Sequence, residues 1–176
     1  VIRPADGNET VAAWKFALQS KNTPTALILT RQGVPTLPGT KEKAEEGMKR
    51  GAYIIHGDAK APDIVLVATG SEVSLAVEAS KQLEAEGIAV NVVSMPNTDV
   101  FDQQDDAYKE TILPKNTPVL AMEMGATQPW YKYVGPNGKV LGIDRFGASA
   151  PGDQVVKEYG FTVENVISHV QALLKK

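Results

Sequence analysis

The stretch Ile64-Val-Leu-Val-Ala-Thr-Gly-Ser-Glu72 begins the pattern that decides the fold of this chain. Its first five residues, 64–68, form a short apolar run typical of a buried strand. Residues 71–86 carry apolar side chains at helical spacing, and Gly87 is a typical helix stop signal. Residues 90–93 are strand-like again. A strand, a helix and a strand in this order predict a parallel β–α–β unit.

Similar segments flank this unit on both sides. Further strand-like runs occupy residues 53–55, 118–122 and 139–143. One helix is predicted to begin near residues 149–151, because proline is tolerated in a first turn. Another is predicted after Thr162, a good N-cap. We therefore predict an α/β domain over residues 51–176, with a mainly parallel (mixed) sheet of about five strands and helices on both faces.

Residues 1–32 predict a different unit. Asn8 is a plausible N-cap, and Val11, Trp14 and Leu18 share one face of the helix that follows. Residues 25–29 form a short apolar strand. One helix and one strand cannot bury their own apolar faces. We interpret the segment as a helix–strand remnant of another α/β domain and expect it to be held only weakly.

Residues 33–50 are predicted to link the two units. Gly33, Pro35, Pro38 and Gly39 interrupt regular structure, and a charged run follows from residue 41 to residue 46. The formal charge also changes here. It is +2 up to Gln32 and −5 in the remainder, which favours two origins.

Composition narrows the function classes. The formal net charge of −3 argues against a broad nucleic-acid surface. The absence of cysteine excludes disulfides, thiolate zinc sites and cysteine nucleophiles, and it fits a cytoplasmic location. No apolar run approaches the ~20 residues that span a bilayer. The chain begins at Val1 without an initiator Met, so we expect a fragment of a longer protein.

Two segments could bind ions. Thr69-Gly70-Ser71-Glu72 lies between a strand and a helix, where backbone amides attract phosphate. A tight turn at Gly70 with Ser71 as helix cap is the favoured alternative. Asp99, Asp102, Asp105 and Asp106 could hold a hard cation, but their spacing does not match a calcium loop, and aspartate is also common at helix starts.

Histidines and aromatic residues are weaker candidates. His56 and His169 lie far apart in sequence, and a structural or solvated role is favoured for both over a nucleophile–base pair. Residues 129–134, Pro-Trp-Tyr-Lys-Tyr-Val, could stack a base or a sugar. Packing in a core or a subunit interface is the favoured interpretation of this segment.

Arg31 follows the apolar run of residues 25–29 and therefore lies where a strand leaves its sheet. Ligand crevices of open α/β sheets form at the carboxyl ends of strands, and a guanidinium suits phosphate oxygens. A surface arginine in a linker salt bridge is the equal alternative from position alone.

Taken together, these segments resemble the carboxy-terminal part of transketolase, in the family's order and over almost the whole chain. The stretches that carry the resemblance include Pro24-Thr-Ala-Leu-Ile-Leu-Thr-Arg-Gln32, Ala68-Thr-Gly-Ser-Glu-Val73, Val93-Ser-Met-Pro-Asn-Thr-Asp99, Trp130-Tyr-Lys-Tyr-Val-Gly135 and Phe146-Gly-Ala-Ser-Ala-Pro151.

The resemblance implies a homodimeric thiamine diphosphate enzyme with magnesium or calcium, which moves a two-carbon ketol unit between sugar phosphates in the pentose phosphate pathway. Residues 1–32 would be the tail of its middle, pyrimidine-binding domain, and residues 51–176 its third domain. The residues that bind cofactor and metal and perform catalysis would all lie upstream, so the chain alone is expected to be inactive. Arg31 would correspond to an arginine that binds the substrate phosphate.

Two alternatives remain open at this point. The chain could come from another thiamine diphosphate enzyme, such as a deoxyxylulose phosphate synthase or the β-chain of a 2-oxoacid dehydrogenase. It could also be a stand-alone interaction or regulatory module with the same fold and no catalytic role. The mass of the intact protein in native cells would separate the fragment from the module.

Overall fold

A computed structural model describes residues 1–175. Two helices come first, and strands then alternate with helices. The elements are α1 (Gly7–Gln19), α2 (Thr40–Arg50), β1 (Tyr53–His56), β2 (Ile64–Ala68), α3 (Glu72–Ala85), β3 (Val90–Ser94), α4 (Thr98–Asp102), α5 (Asp106–Ile112), β4 (Val119–Met122), α6 (Tyr131–Val134), β5 (Lys139–Leu141), α7 (Gly152–Glu158) and α8 (Val163–Leu174).

The five strands form one mixed sheet in the order β1-β3-β2-β4-β5. β2 pairs in parallel with β3 and β4, and β4 pairs in parallel with β5. Only β1 runs antiparallel, at the edge beside β3. The predicted fold class, a mainly parallel sheet of about five strands with helices on both faces, is confirmed.

Each face of the sheet packs against its own helices. Apolar residues of α3 and α8 cover one face, and those of α4, α5 and α6 cover the other. All residues of β2, β3 and β4 are buried. Continuous apolar strands are expected when both faces of a parallel sheet are covered. α8 begins where predicted, with the Thr162 hydroxyl accepting a hydrogen bond from the amide of Asn165.

The amino-terminal segment differs from its sequence prediction in two local respects. Asp6, not Asn8, caps α1, and its carboxylate accepts a hydrogen bond from the amide of Glu9 at 2.9 Å. Residues 25–29 form only an isolated parallel bridge, between Ile2 and Leu27, instead of a strand. A strand needs paired neighbours, and a single short partner does not extend the ladder.

The predicted linker contains a helix in its second half. α2 packs against α1. Apolar residues of the two helices form a small core that is separate from the cores on the two faces of the sheet. Charged side chains dominate α2, and only four of its residues are buried. The narrow apolar stripe explains why the charged run did not indicate a helix, since a buried face is the main sequence signal of one.

Residues 1–32 make more contacts with the following domain than the sequence indicates. Ile2 is fully buried, and Ala5 belongs to the same core as the sheet. Arg3 and Glu9 form hydrogen bonds with residues of the sheet domain. The segment therefore contributes to the packing of the domain that follows it.

Candidate functional site

The carboxyl ends of β2 and β4 define the crevice where a ligand would be expected. These strands are neighbours, but the chain leaves β2 toward β3 and leaves β4 toward β5, on the opposite side. In open α/β sheets, ligands bind outside the carboxyl ends of strands at such a reversal. Thr69 and Gly70 follow β2 at this edge, and Glu123 follows β4.

The crevice is occupied by the chain's own charged side chains. Glu72, in the first turn of α3, is fully buried there. Its carboxylate accepts hydrogen bonds from the Met124 amide at 2.6 Å and from the Ser71 hydroxyl at 2.8 Å. The guanidinium of Arg3 lies 3.3 Å from the Glu72 carboxylate and pairs with Glu123 through its other terminal nitrogen. One arginine thus pairs with two carboxylates, that of the fully buried Glu72 and that of the partly buried Glu123.

The backbone of Arg3 is bound at the same edge. Its carbonyl accepts hydrogen bonds from the Gly70 amide at 3.1 Å and from the Thr69 hydroxyl at 3.2 Å, and its amide donates to the carbonyl of Pro96 at 3.0 Å. Gly70 has φ +61°, and a Cβ at this position would lie 3.2 Å from the Arg3 guanidinium. Glycine is therefore suited both to the conformation and to the close approach.

This arrangement decides between the two interpretations of the turn after β2. A buried carboxylate in the crevice repels an anionic diphosphate, so the residues present do not fit an anion site. The tight turn at Gly70 is confirmed. Ser71 occupies the predicted N-cap position of α3, but its side chain makes no capping bond and donates to Glu72 instead.

Burial also acts on the acid–base behaviour of the crevice. Burial raises the pKa of Glu123, and the neighbouring Glu72 adds to the rise, whereas Arg3 opposes it. Removing the arginine would therefore leave two carboxylates close together without a counter-charge. Uncompensated charges away from water destabilise the folded state.

A second buried acid links α1 to the sheet. Glu9 is fully buried. One of its carboxylate oxygens accepts hydrogen bonds from the Tyr53 hydroxyl at 2.7 Å and the Ser94 hydroxyl at 2.6 Å, and the other accepts from the Ala5 amide at 2.7 Å. Burial raises the pKa of Glu9 against the effect of these donors, and nearby Asp6 adds to the rise.

The raised pKa predicts a pH-dependent contribution of Glu9 to stability. A raised folded-state pKa means that the folded chain binds the proton more tightly, so this contribution is fully present below pH 4.5 and is lost as pH rises through the folded pKa. In Glu9→Gln that slope should disappear. Thermal midpoints of both proteins between pH 4 and pH 8 test this. The difference, wild type minus variant, should fall as pH rises, and a constant difference would contradict it.

Asp102 and Asp105 of the acidic cluster have structural roles, and Asp99 forms an exposed ion pair with the amino-terminal ammonium of Val1 at 3.5 Å. Asp105 caps α5 by accepting a hydrogen bond from the Tyr108 amide at 2.7 Å, and Asp102 accepts from Lys132 and from the Tyr133 hydroxyl. Within residues 1–175, no group of three or more acidic, histidine or cysteine side chains is placed to hold a metal ion.

The histidines and the aromatic segment also have structural surroundings. His56 lies 3.0 Å from Glu84 in a half-exposed pair, whereas burial and the positive charge of Lys139 lower the pKa of His169 on α8. Trp130 is buried and packs against Tyr133 at a ring distance of 5.7 Å. The packing interpretation of the aromatic segment is confirmed for these two rings.

Arg31 lies in an exposed bend just beyond the bridge between Ile2 and Leu27. None of the ion pairs formed within residues 1–175 includes it. The Thr30 hydroxyl donates to the Gln32 side chain at 2.9 Å across the bend. The side-chain amide nitrogen of Gln32 lies over Gly152. It is 2.6 Å from the position that a Cβ on Gly152 would occupy. The bend thus touches the start of α7.

The sequence did not indicate the roles of the buried Glu9 or of the partly buried Arg3 and Glu123. One weak signal was available for Glu123, because it directly follows a buried strand at the edge where ligand crevices form. No local signal was available for the other two, since their partners lie far away in the sequence.

The fold and this edge define a doubly wound α/β domain whose crevice is occupied by an arginine from the preceding segment. Residues 51–162 match the family model described as the transketolase-like C-terminal domain. The chain belongs to the transketolase family.

Individual relatives agree with this assignment. A transketolase of Staphylococcus aureus (strain MW2) is 55% identical over 98% of this chain, which covers 26% of that protein. The structure of transketolase from Leishmania mexicana has a TM-score of 0.91 at 42% identity, covering 99% of this chain and 25% of that one. A Pichia stipitis transketolase complex has a TM-score of 0.90 at 42% identity, with the same coverage. The chain therefore spans about a quarter of the length of these relatives.

Proposed function

We propose that this chain is the carboxy-terminal part of a thiamine diphosphate-dependent transketolase, which moves a two-carbon ketol unit between sugar phosphates. The observation that carries the proposal is a match to transketolases over nearly the whole chain, at 55% identity for the Staphylococcus aureus protein. The Pichia stipitis transketolase structure is described as a complex with sedoheptulose 7-phosphate, which supports sugar phosphates as the substrate class.

Thiamine diphosphate and the divalent cation, Mg or Ca, would be bound upstream of Val1. The described residues do not fit either group, because the ligand crevice contains buried carboxylates and no metal-binding cluster exists within residues 1–175. The role of this chain in the whole enzyme is then to complete the fold and to supply Arg31.

Arg31 is proposed to bind the phosphate of the substrate. It is exposed, its segment is held in place by the Ile2–Leu27 bridge, and none of the acidic residues described here is ion-paired with it. A guanidinium in that state can form two parallel hydrogen bonds with phosphate oxygens.

Residues 1–32 are proposed to be the end of the middle domain, residues 33–50 the connection, and residues 51–176 the third domain. Exposed apolar side chains support the first assignment, since they are concentrated in this segment. They include Val11, Trp14, Leu18, Ile28 and Leu29. Exposed apolar side chains gathered in one segment favour a surface that another part of a protein covers. We expect the upstream part of the same polypeptide to cover it.

A homodimer in the cytoplasm is the proposed state of the whole enzyme. None of the helices in the described part of the chain combines the length and the apolar character that a bilayer crossing requires.

The full-length protein tests the proposed activity. Purified with thiamine diphosphate and magnesium, it should transfer a two-carbon unit from a ketose phosphate to an aldose phosphate, which product analysis detects. Its subunit mass should be about four times that of this chain, because the chain spans 26% of the Staphylococcus aureus relative. Transfer of a different group would contradict the proposal. So would a subunit mass of 18.9 kDa, that of this chain alone, for the protein isolated from its native cells.

The isolated chain is expected neither to bind thiamine diphosphate nor to transfer ketol units, because the groups that bind the cofactor would lie upstream. Calorimetric titration of the chain with the cofactor and magnesium measures this directly, and the full-length enzyme is the positive control. Saturable micromolar binding to the isolated chain would mean that residues of this chain, and not upstream residues, bind the cofactor.

A further inference from the structure

Arg3 links the amino-terminal segment, residues 1–32, to the sheet domain through hydrogen bonds. Its side chain and both of its backbone polar groups are bound at the carboxyl edge of the sheet, to residues between Thr69 and Glu123. The residue before it, Ile2, pairs instead within the amino-terminal segment. The Ile2 amide donates to the carbonyl of Ala26 at 2.8 Å, and its carbonyl accepts from the amide of Ile28 at 2.9 Å.

The bend that carries Arg31 begins directly after this pairing. Arg31 is three residues beyond Ile28, and the bend has a second contact where the Gln32 side chain lies over Gly152 at the start of α7. Both ends of the bend are therefore attached to the sheet domain, one through Ile2 and Arg3 and the other through α7.

We propose that Arg3 is a positioning residue for Arg31. Its guanidinium, held between Glu72 and Glu123, fixes the pairing of Ile2 with residues 26–28 and so fixes where Arg31 meets the substrate phosphate. The crevice that binds ligands in other doubly wound domains here binds a guanidinium from the chain itself. The inference rests on the proposed phosphate-binding role of Arg31 and gives the third domain a part in substrate recognition.

The charge pattern of the crevice explains why a guanidinium is required. The carboxylates of Glu72, in the first turn of α3, and of Glu123, directly after β4, need a planar cation that can reach both, and the terminal nitrogens of Arg3 meet one each. A lysine ammonium is a single point charge and cannot span both acids in the same way. Arg3→Lys should therefore fold, because it keeps the charge. It should, however, fix the pairing of Ile2 with residues 26–28 less firmly.

The stability of the 176-residue chain tests the site itself. Arg3→Ala should lower the thermal midpoint by roughly 5–15 °C, because it leaves the fully buried Glu72 and the partly buried Glu123 without a counter-charge. Methylguanidinium at about ten times its Kd should restore roughly 3–6 °C in Arg3→Ala and nothing in wild type. Methylammonium is the matched control and should restore less. Equal rescue by both cations, or none, would overturn the assignment of a guanidinium site.

The kinetics of the full-length enzyme test the positioning role. Arg3→Ala and Arg3→Lys should raise KM for a phosphorylated donor by roughly 2- to 30-fold, with little change for an unphosphorylated donor. Leu83→Ala is the matched control, since it destabilises the core under α3 without touching Arg3. It should change neither KM. If Leu83→Ala raises KM for the phosphorylated donor as much as the Arg3 variants do, again with little change for the unphosphorylated donor, Arg3 is only structural.

Two comparisons separate this inference from the function on which it rests. If Arg31→Ala shows no donor-selective loss, the proposed role of Arg31 fails. If Arg31→Ala shows that loss and both Arg3 variants do not, only the positioning role fails. Methylguanidinium is not joined to the backbone, so it should restore the thermal midpoint of Arg3→Ala without restoring KM. Restoration of both would also overturn the positioning role.

Discussion

Removal of residues 1–39 is expected to lower the thermal midpoint of the chain by at least about 10 °C. The deletion takes Arg3 away from Glu72 and Glu123, and it takes Glu9 away from the hydroxyls of Tyr53 and Ser94. It also uncovers the apolar surface on which Ile2 packs, whose burial contributes about 1.5–3 kcal/mol for one such side chain. Together these losses are a large fraction of the stability of an ordinary domain.

Differential scanning calorimetry of residues 40–176 and of the whole chain measures this change. Leu18→Ser is the matched control in the same segment, since Leu18 is 79% exposed and its replacement should leave the midpoint within about 2 °C. A deletion that leaves the midpoint unchanged would mean that the contacts of residues 1–39 add no net stability. In that case the stable domain would begin at the predicted boundary near residue 51.

Replacement of Arg31 by alanine should lower kcat/KM of the full-length enzyme by roughly 10- to 150-fold with phosphorylated sugars. The range follows from the ~1.5–3 kcal/mol of a hydrogen bond to a charged group, at ~1.4 kcal/mol for each factor of ten. With an unphosphorylated donor the loss should nearly vanish, because that donor lacks the group that Arg31 binds. Most of the loss should appear in KM if the phosphate is held equally in ground and transition states.

Steady-state kinetics with both donors separate this role from a structural one. Arg31→Lys should retain part of the activity, because it keeps the charge but loses the planar, two-pronged contact. Lys21→Ala, which removes another exposed basic residue of the same segment, should have no donor-selective effect. Equal losses with both donors would return Arg31 to a structural interpretation.

Much of the architecture could be predicted from local patterns. The apolar runs at β2 and β3, the apolar side of α3 and the Thr162 cap of α8 each indicated an element within a few residues of its observed bounds. These signals are reliable because burial on both faces of a sheet demands continuous apolar strands, and because a cap is a contact between residues three apart.

The short helices α4, α5 and α6 and the mostly polar α2 were not predicted. Each has a buried face of only one to four residues, too few to produce a visible period. The antiparallel direction of β1 was likewise undetermined, because a four-residue strand has the same alternation in either direction.

The sequence alone predicted the α/β fold with its mainly parallel sheet, which the structure confirms, and it singled out Arg31 at the end of an apolar run. Only the tertiary structure decided what occupies the crevice of that sheet. Arg3 meets Glu72 and Glu123 across 69 and 120 residues of chain, and Glu9 meets Tyr53 and Ser94 across 44 and 85. No local pattern records such pairs, because the burial that makes a charge significant is created by the fold, which brings distant residues together.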